Sequence, residues 1–223
     1  TTYFQPMATG YFKVYGEKFD KFWCCTGSGM ENFTKLGSNY YYVDEDTVYA
    51  ALFVSSELEL PERGVTIVQE AEVLAGSDTK FTVKGNATGL KLAVRIPSWE
   101  TAVPCVRKNG TYVETETRDG YMVVESLADG DVVEVDFHMT VTAVPLPDAD
   151  NVFAFRYGPI VLSALLGTDK MWTTTTGMFV TVPGEKQVDT EILTIEKELS
   201  DVEDYIDNIA DYMEKDADEL RFT

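Results

Sequence analysis

Through the middle of this 223-residue chain, apolar side chains recur at every second position, in short runs broken by Gly, Asn, Asp and Pro. A period of two sends alternate side chains to opposite faces of a strand and does not fit a helix. Val65, Ile67, Gln69 and Ala71 fall on one side of such a run, opposite Thr66, Val68, Glu70 and Glu72. Leu90, Leu92, Val94 and Ile96 line one face of another, and Lys80–Val83 reads as a third. Tyr40–Val43 and Thr47–Val54 flank the acidic Asp44-Glu45-Asp46 and read as a hairpin. Asn109-Gly110, between Val103–Val106 and Thr111–Glu114, is the strongest hairpin signal present. Tyr121–Glu125 and Val132–Phe137 are expected to pair across Ala128-Asp129-Gly130-Asp131, and Ile160–Leu166 reads as a buried strand. Many short strands at a spacing of about 8–12 residues predict an all-β fold, an antiparallel β-sandwich of jelly-roll type over residues 40–166. Its core is expected from Leu90, Leu92, Val94, Val133, Val135, Phe153 and Phe155.

Two segments depart from that period. Ser28–Leu36 reads as a short helix closed by Gly37 as a C′ glycine. Asp201–Met213 carries Val202, Tyr205, Ile206, Ile209 and Met213 at helical spacing, with Ser200 and Glu203 as a capping box. The tail Leu220-Arg221-Phe222-Thr223 starts like a strand and stops, as a truncated strand would. A net charge of −20, from 38 acidic and 18 basic residues, argues against a nucleic-acid partner, since a polyanion would be repelled. No apolar run approaches the roughly 18 residues of a membrane span, so no membrane partner is expected. Thr1-Thr2-Tyr3-Phe4 has neither the basic region nor the cleavage site of a signal peptide.

Chemistry concentrates in Trp23-Cys24-Cys25-Thr26-Gly27-Ser28-Gly29-Met30-Glu31-Asn32. Three cysteines are too few for a disulfide framework, yet two of them are adjacent, in what reads as a glycine-bearing turn before a helix. The thiolate is both the nucleophile and the metal-binding form of cysteine, and a helix N-terminus lowers a thiol pKa. Cys24 or Cys25 is therefore a candidate nucleophile or zinc ligand. The plain alternative is two small buried residues in a tight turn.

The stretch Phe19-Asp20-Lys21-Phe22-Trp23-Cys24-Cys25-Thr26-Gly27-Ser28-Gly29-Met30-Glu31-Asn32 resembles the signature of glycoside hydrolase family 127, the β-L-arabinofuranosidases. Asp44–Tyr49, Val94-Arg95-Ile96-Pro97-Ser98-Trp99, Gly120-Tyr121, Gly130-Asp131 and Arg156–Leu162 resemble further family segments in the same order. The likeness covers most of residues 3–167 and weakens afterwards. It implies a retaining glycosidase in which Cys24 attacks the anomeric carbon. It also implies a zinc ion held by Cys24 and Cys25 with a further Cys and a Glu from upstream, and a separate upstream Glu as general acid/base. Those upstream motifs are not in the chain, and neither Cys105 nor His138, the single histidine, replaces them.

The chain is accordingly read as an internal piece. Residues 1–37 would close an (α/α) barrel catalytic domain, 38–167 would form the β-sandwich, and 168–223 a C-terminal extension with a helix. A glycan substrate is expected of the parent protein, with zinc in the intact parent and none bound by this chain alone. The alternatives are a non-catalytic carbohydrate-binding or structural β-sandwich, and a redox or metal-storage role for the cysteine pair. His138 is expected to be structural, Trp99 to close the core rather than stack on sugar, and Glu31 to be outside the acid/base pair. Asn32-Phe33-Thr34, Asn86-Ala87-Thr88 and Asn109-Gly110-Thr111 match the glycosylation sequon but carry no weight as short matches. The acidic Asp201–Asp218 cluster lacks EF-hand spacing and reads as a solvated face.

Overall fold

The computed structural model describes the backbone of residues 8, 10–15, 24–72, 77–177, 180–187 and 202–223, with side chains at all of these but 24, 25, 149–151 and 202. The expected capping residue Ser200 lies outside the described residues. Elements follow in chain order: α1 (Cys24–Leu36), β1 (Tyr41–Val43), β2 (Thr47–Ala50), β3 (Ser56–Leu60), β4 (Val65–Ala71), β5 (Asp78–Gly85), β6 (Lys91–Arg95), β7 (Cys105–Lys108), β8 (Thr111–Tyr112), β9 (Glu116–Arg118), β10 (Tyr121–Val124), β11 (Val132–Asp136), β12 (Val141–Leu146), β13 (Ala149–Tyr157), β14 (Ile160–Val161), β15 (Thr173–Thr175), β16 (Thr181–Pro183), α2 (Val202–Asp207) and α3 (Ile209–Tyr212). The chain divides into two units. One joins Thr1–Gly37 to Ser163–Ser200, the other Ser38–Leu162 to Asp201–Thr223.

The larger unit is built on a β-sandwich, as the period of two requires. One sheet runs β1-β2-β6-β10-β9 and the other β3-β4-β5-β11-β7-β8. Both contribute to a single core. Val48, Leu92, Val94 and Met122 come from the first sheet, and Ile67, Phe81, Val83, Val133 and Val135 from the second, all fully buried. Gln69 shares the buried face of Val65 and Ile67, because a strand cannot choose which of its alternate residues turns inward. It is accommodated by hydrogen bonds. Tyr41 Oη donates to Gln69 Oε1 at 2.7 Å, and Gln69 Nε2 donates to Thr79 Oγ1 at 3.2 Å and Leu52 O at 3.3 Å. Burial pushes the Tyr41 phenol up from its ordinary pKa, the hydrogen bond with Ser56 opposing it.

Turn chemistry explains the hairpins. Asn109 and Gly110 both adopt positive φ, at 53° and 77°, the signature of a type I′ turn, and Lys108 pairs with Thr111 across it. Asp119-Gly120 repeats the device between β9 and β10, with φ of 50° and 81°. Asp44 caps the β1–β2 turn by accepting from the backbone N–H of Asp46 and Thr47 and from Tyr49 Oη. The bond from Tyr49 leads the causes that hold the Asp44 carboxyl below its usual range.

Several expectations fail for identifiable reasons. β10 and β11 do not pair: β10 lies between β6 and β9, β11 between β5 and β7 in the opposite sheet. The turn joining them is captured by β5. Gly130 N–H donates to Val83 O, Val83 N–H donates to Asp131 O, and Gly85 N–H donates to Asp129 Oδ1. The sandwich is also not purely antiparallel, because β2 and β6 run parallel, with Val48 opposite Leu92. The chain passes through β3, β4 and β5 of the other sheet before returning beside β2 in the same direction.

Phe153 and Phe155 are half-buried and outside the sandwich core. They lie on β13 in a separate sheet, β12-β13-β14, opposite Pro145 and Ala143. α2 and α3 pack on β12 of that sheet, and the Phe222 ring stands 5.1 Å from Tyr157. Ile160–Leu166 is not a buried strand: β14 keeps only two residues, and Val161 and Leu165 are 67% and 80% exposed. The C-terminal helix breaks in two at Asn208, whose N–H and Nδ2 both donate to Asp204 O, while the helical spacing survives in buried Ile209. The tail folds back so that Lys215 and Phe222 form an antiparallel bridge and Glu214 and Thr223 exchange backbone hydrogen bonds at 2.9 and 3.0 Å.

Candidate functional site

Cys24 and Cys25 are the first two described residues of α1, so the pair stands in helical backbone rather than in a turn, four residues before the expected start. Gly27 and Gly29 lie within the same helix. Glycine weakens a helix by about 1 kcal/mol without forbidding it, and two glycines do not break this one. Nor does Gly37 act as a left-handed cap. It opens a 3-10 turn, Gly37–Asn39, and is not among the glycines with positive φ.

Helical periodicity places Cys24, Ser28 and Glu31 along one side of α1, with Cys25, Gly29 and Asn32 along the adjoining one. Seven residues at 1.5 Å each separate the backbones of Cys24 and Glu31 by roughly 10 Å. Met30, Phe33 and Leu36 recur every third residue and are exposed, Phe33 at 75%. Thr34 Oγ1 donates back to Glu31 O at 2.7 Å, a bond that keeps its hydroxyl on the helix.

The other candidates lie in the larger unit. Cys105 is a free thiol, half-buried at the start of β7. His138 follows β11, with its side chain half-exposed. Its backbone N–H donates to both carboxylate oxygens of Glu100 at 3.1 and 3.0 Å, and its Nδ1 lies 3.3 Å from Oε1. The Glu100 side chain is only 1% exposed, so this contact anchors the loop after β6 to the strand end after β11. No periodicity or motif marks Glu100 in the sequence. Trp99 packs its ring 5.6 Å from Phe137, which in turn meets Phe53 at 4.7 Å, closing one end of the core as expected. Among the described residues no three His, Cys, Asp or Glu side chains cluster in a way that could hold a metal.

Comparison with known proteins places both parts of the chain. The family model for the β-L-arabinofuranosidase GH127 catalytic domain matches residues 1–38, ending just past α1, and that for the GH127 middle domain matches residues 47–139 of the sandwich. No curated protein matches the chain. Among solved structures, a GH127 β-L-arabinofuranosidase from Geobacillus stearothermophilus T6 is 26% identical with a TM-score of 0.54, over 62% of this chain and 23% of that one. A second GH127 β-arabinofuranosidase is 28% identical with a TM-score of 0.54, over 62% and 25% of the two chains. A structure described as a glycoside hydrolase, 21% identical with a TM-score of 0.56 over 66% and 27%, shares the fold. The chain spans about a quarter of the length of these structures. The two family models fall in chain order and together account for more than half of the residues: the chain belongs to glycoside hydrolase family 127, matching its catalytic domain over residues 1–38 and its middle domain over residues 47–139.

Proposed function

We propose that the protein containing this chain is a glycoside hydrolase that releases β-linked L-arabinofuranosyl groups with retention of configuration, using Cys24 as nucleophile. The observation carrying this reading is that the catalytic-domain match, residues 1–38, includes α1, the helix that holds Cys24-Cys25. In the first step the Cys24 sulfur forms a bond to the anomeric carbon as the glycosidic C–O bond breaks, and a carboxylic acid gives its proton to the departing oxygen. In the second, that carboxylate takes a proton from water, whose oxygen displaces the sulfur. The reading assigns the acid/base to the remainder of the catalytic domain, where the family resemblance places it.

Zinc fits the donor chemistry of the pair. Adjacent Cys24 and Cys25 offer two soft sulfur ligands, half of a tetrahedral set, and the reading assigns a further Cys and a Glu to the rest of the domain. Zinc bound there would keep the thiols deprotonated. The experiment is turnover of a β-L-arabinofuranoside by the full-length protein with Cys24→Ser, Cys25→Ser and Cys105→Ser. Loss confined to the first two supports the assignment, and equal effects of Cys24→Ser and Cys105→Ser overturn it.

A further inference from the structure

In the smaller unit, Trp172 precedes β15 and Gly184 follows β16. The hairpin pairs Thr173 with Pro183, Thr174 with Val182 and Thr175 with Thr181, and Gly184 N–H extends the ladder to Trp172 O at 2.9 Å. Trp172 and Gly184 are therefore cross-strand neighbours, and the six-membered ring of the indole lies directly on the Gly184 backbone, where any added Cβ would overlap it. Trp172 Nε1–H donates to Glu185 Oε1 at 3.0 Å, which fixes the ring about its remaining torsion. The indole is nonetheless 51% exposed. A core tryptophan would have both faces covered. This one is seated on a glycine with about half of its surface exposed, the exposed Thr174 lies on the same face of β15, and the exposed Glu185 carboxylate holds its N–H.

We infer that Trp172 is a carbohydrate-stacking platform, a glycan-binding subsite on the β15–β16 hairpin. A sugar ring presents a face of C–H bonds whose hydrogens are made electropositive by the neighbouring oxygens. Such a face complements the negative π-face of an indole, and the indole is held in place before binding, so little rotamer entropy remains to be lost. The Thr174 hydroxyl and the Glu185 oxygen not engaged by Nε1–H supply donors and acceptors for sugar hydroxyls at the rim. This inference rests on the reading of the protein as a carbohydrate-active enzyme, but on none of the catalytic assignments.

The test is affinity electrophoresis of the protein in gels containing soluble arabinan, with dextran gels as control. Retardation by arabinan alone is expected. Trp172→Ala should weaken it at least tenfold, and Gly184→Ala should do the same although the tryptophan is still present, because the new methyl group lifts the ring. Trp172→Tyr should retain part of it. Glu185→Ala keeps the ring but frees its N–H and should weaken retardation about three- to tenfold, so the inference stays testable if Trp172→Ala folds poorly. Absence of retardation in the unsubstituted protein, or equal retardation of Trp172→Ala and Glu185→Ala with it, overturns the inference. Cys24→Ser should run as the unsubstituted protein does. Its turnover decides the nucleophile assignment alone, so the two readings can fail separately.

Discussion

Lys108 Nζ meets Asp131 Oδ2 at 2.9 Å with both side chains largely shut off from water, at 20% and 10% exposure. The ion pair joins the end of β7, just before the Asn109-Gly110 turn, to the turn that delivers the chain from β10 into β11. Asn109 Nδ2 and Ala128 N–H donate to the same carboxylate, each at 2.8 Å. Burial on its own would push the Asp131 carboxyl up. The bonds from Lys108, Asn109 and Ala128 outweigh it and hold the group below its ordinary pKa.

A folded-state pKa below the unfolded value contributes stability that is present above the unfolded value, near 3.9, and is lost as pH falls through the folded one. Asp131→Ala should therefore destabilise the sandwich at neutral pH by about 1–3 kcal/mol, leaving the Lys108 ammonium without its carboxylate. Denaturant unfolding of the two proteins should converge as pH is lowered below about 4. A difference that persists undiminished in acid would show that the carboxylate charge is not what matters.

Two glycines with open φ separate backbone strain from collision. Gly110 adopts φ of 77° with nothing within 4 Å of an added Cβ, so Gly110→Ala carries only the cost of a left-handed alanine, about 1 kcal/mol. Gly85 has φ of 91° and a Cβ there would run into the Gly64 carbonyl oxygen on the neighbouring turn. Gly85→Ala must also move backbone and loosen the Gly85 N–H bond to Asp129 at 2.8 Å. It should cost about 1–3 kcal/mol more than Gly110→Ala in denaturant unfolding, the usual range for overpacking.

The strands, the Asn109-Gly110 hairpin and most of the core were legible because period and turn chemistry are local. Leu90, Leu92, Val94, Val133 and Val135 are buried as that pattern requires. What the pattern could not supply was partnership. Val132–Asp136 reads as a strand whichever neighbour it has, and only Gly130 and Asp131 bonding to Val83 reveal that β5 takes it. Phe153 and Phe155 alternate like core residues because β13 does have a sheet and a helical cover, though not the sandwich's. The cysteine pair was visible from its composition alone, but the helix already includes it because two glycines weaken local helical preference without overriding it. Trp172 gave no signal, since its exposure depends on a glycine a hairpin away.

Tyr41 and Gln69 test whether the buried polar contact between the sheets is a liability once broken. Tyr41→Phe removes the 2.7 Å bond and leaves Gln69 Oε1 without its donor in a side chain 1% exposed. A loss of about 1–3 kcal/mol is expected. Gln69→Leu strands the Tyr41 hydroxyl less severely, since Ser56 Oγ at 2.9 Å remains as a partner. The double substitution should therefore cost less than the sum of the two, measured by urea unfolding. Strict additivity would mean the hydrogen bond contributes nothing.

Cys24→Ser in the full-length protein is expected to lower turnover of a β-L-arabinofuranoside by roughly three orders of magnitude or more, as removal of a nucleophile does elsewhere. The serine hydroxyl has a far higher pKa than the thiol and is a poor nucleophile at neutral pH. Cys25→Ser should act first through metal content, with activity partly restored by added zinc. Cys105 begins a strand of the sandwich, half-buried and free, and Cys105→Ser should leave turnover within about a factor of two while shifting stability by under about 1 kcal/mol. The 223 residues alone should bind well below one equivalent of zinc by metal analysis, because the pair supplies only half of a tetrahedral set. Stoichiometric zinc in that chain, lost on Cys24→Ser, would place the missing donors within these residues and overturn the assignment of the other ligands to the rest of the catalytic domain.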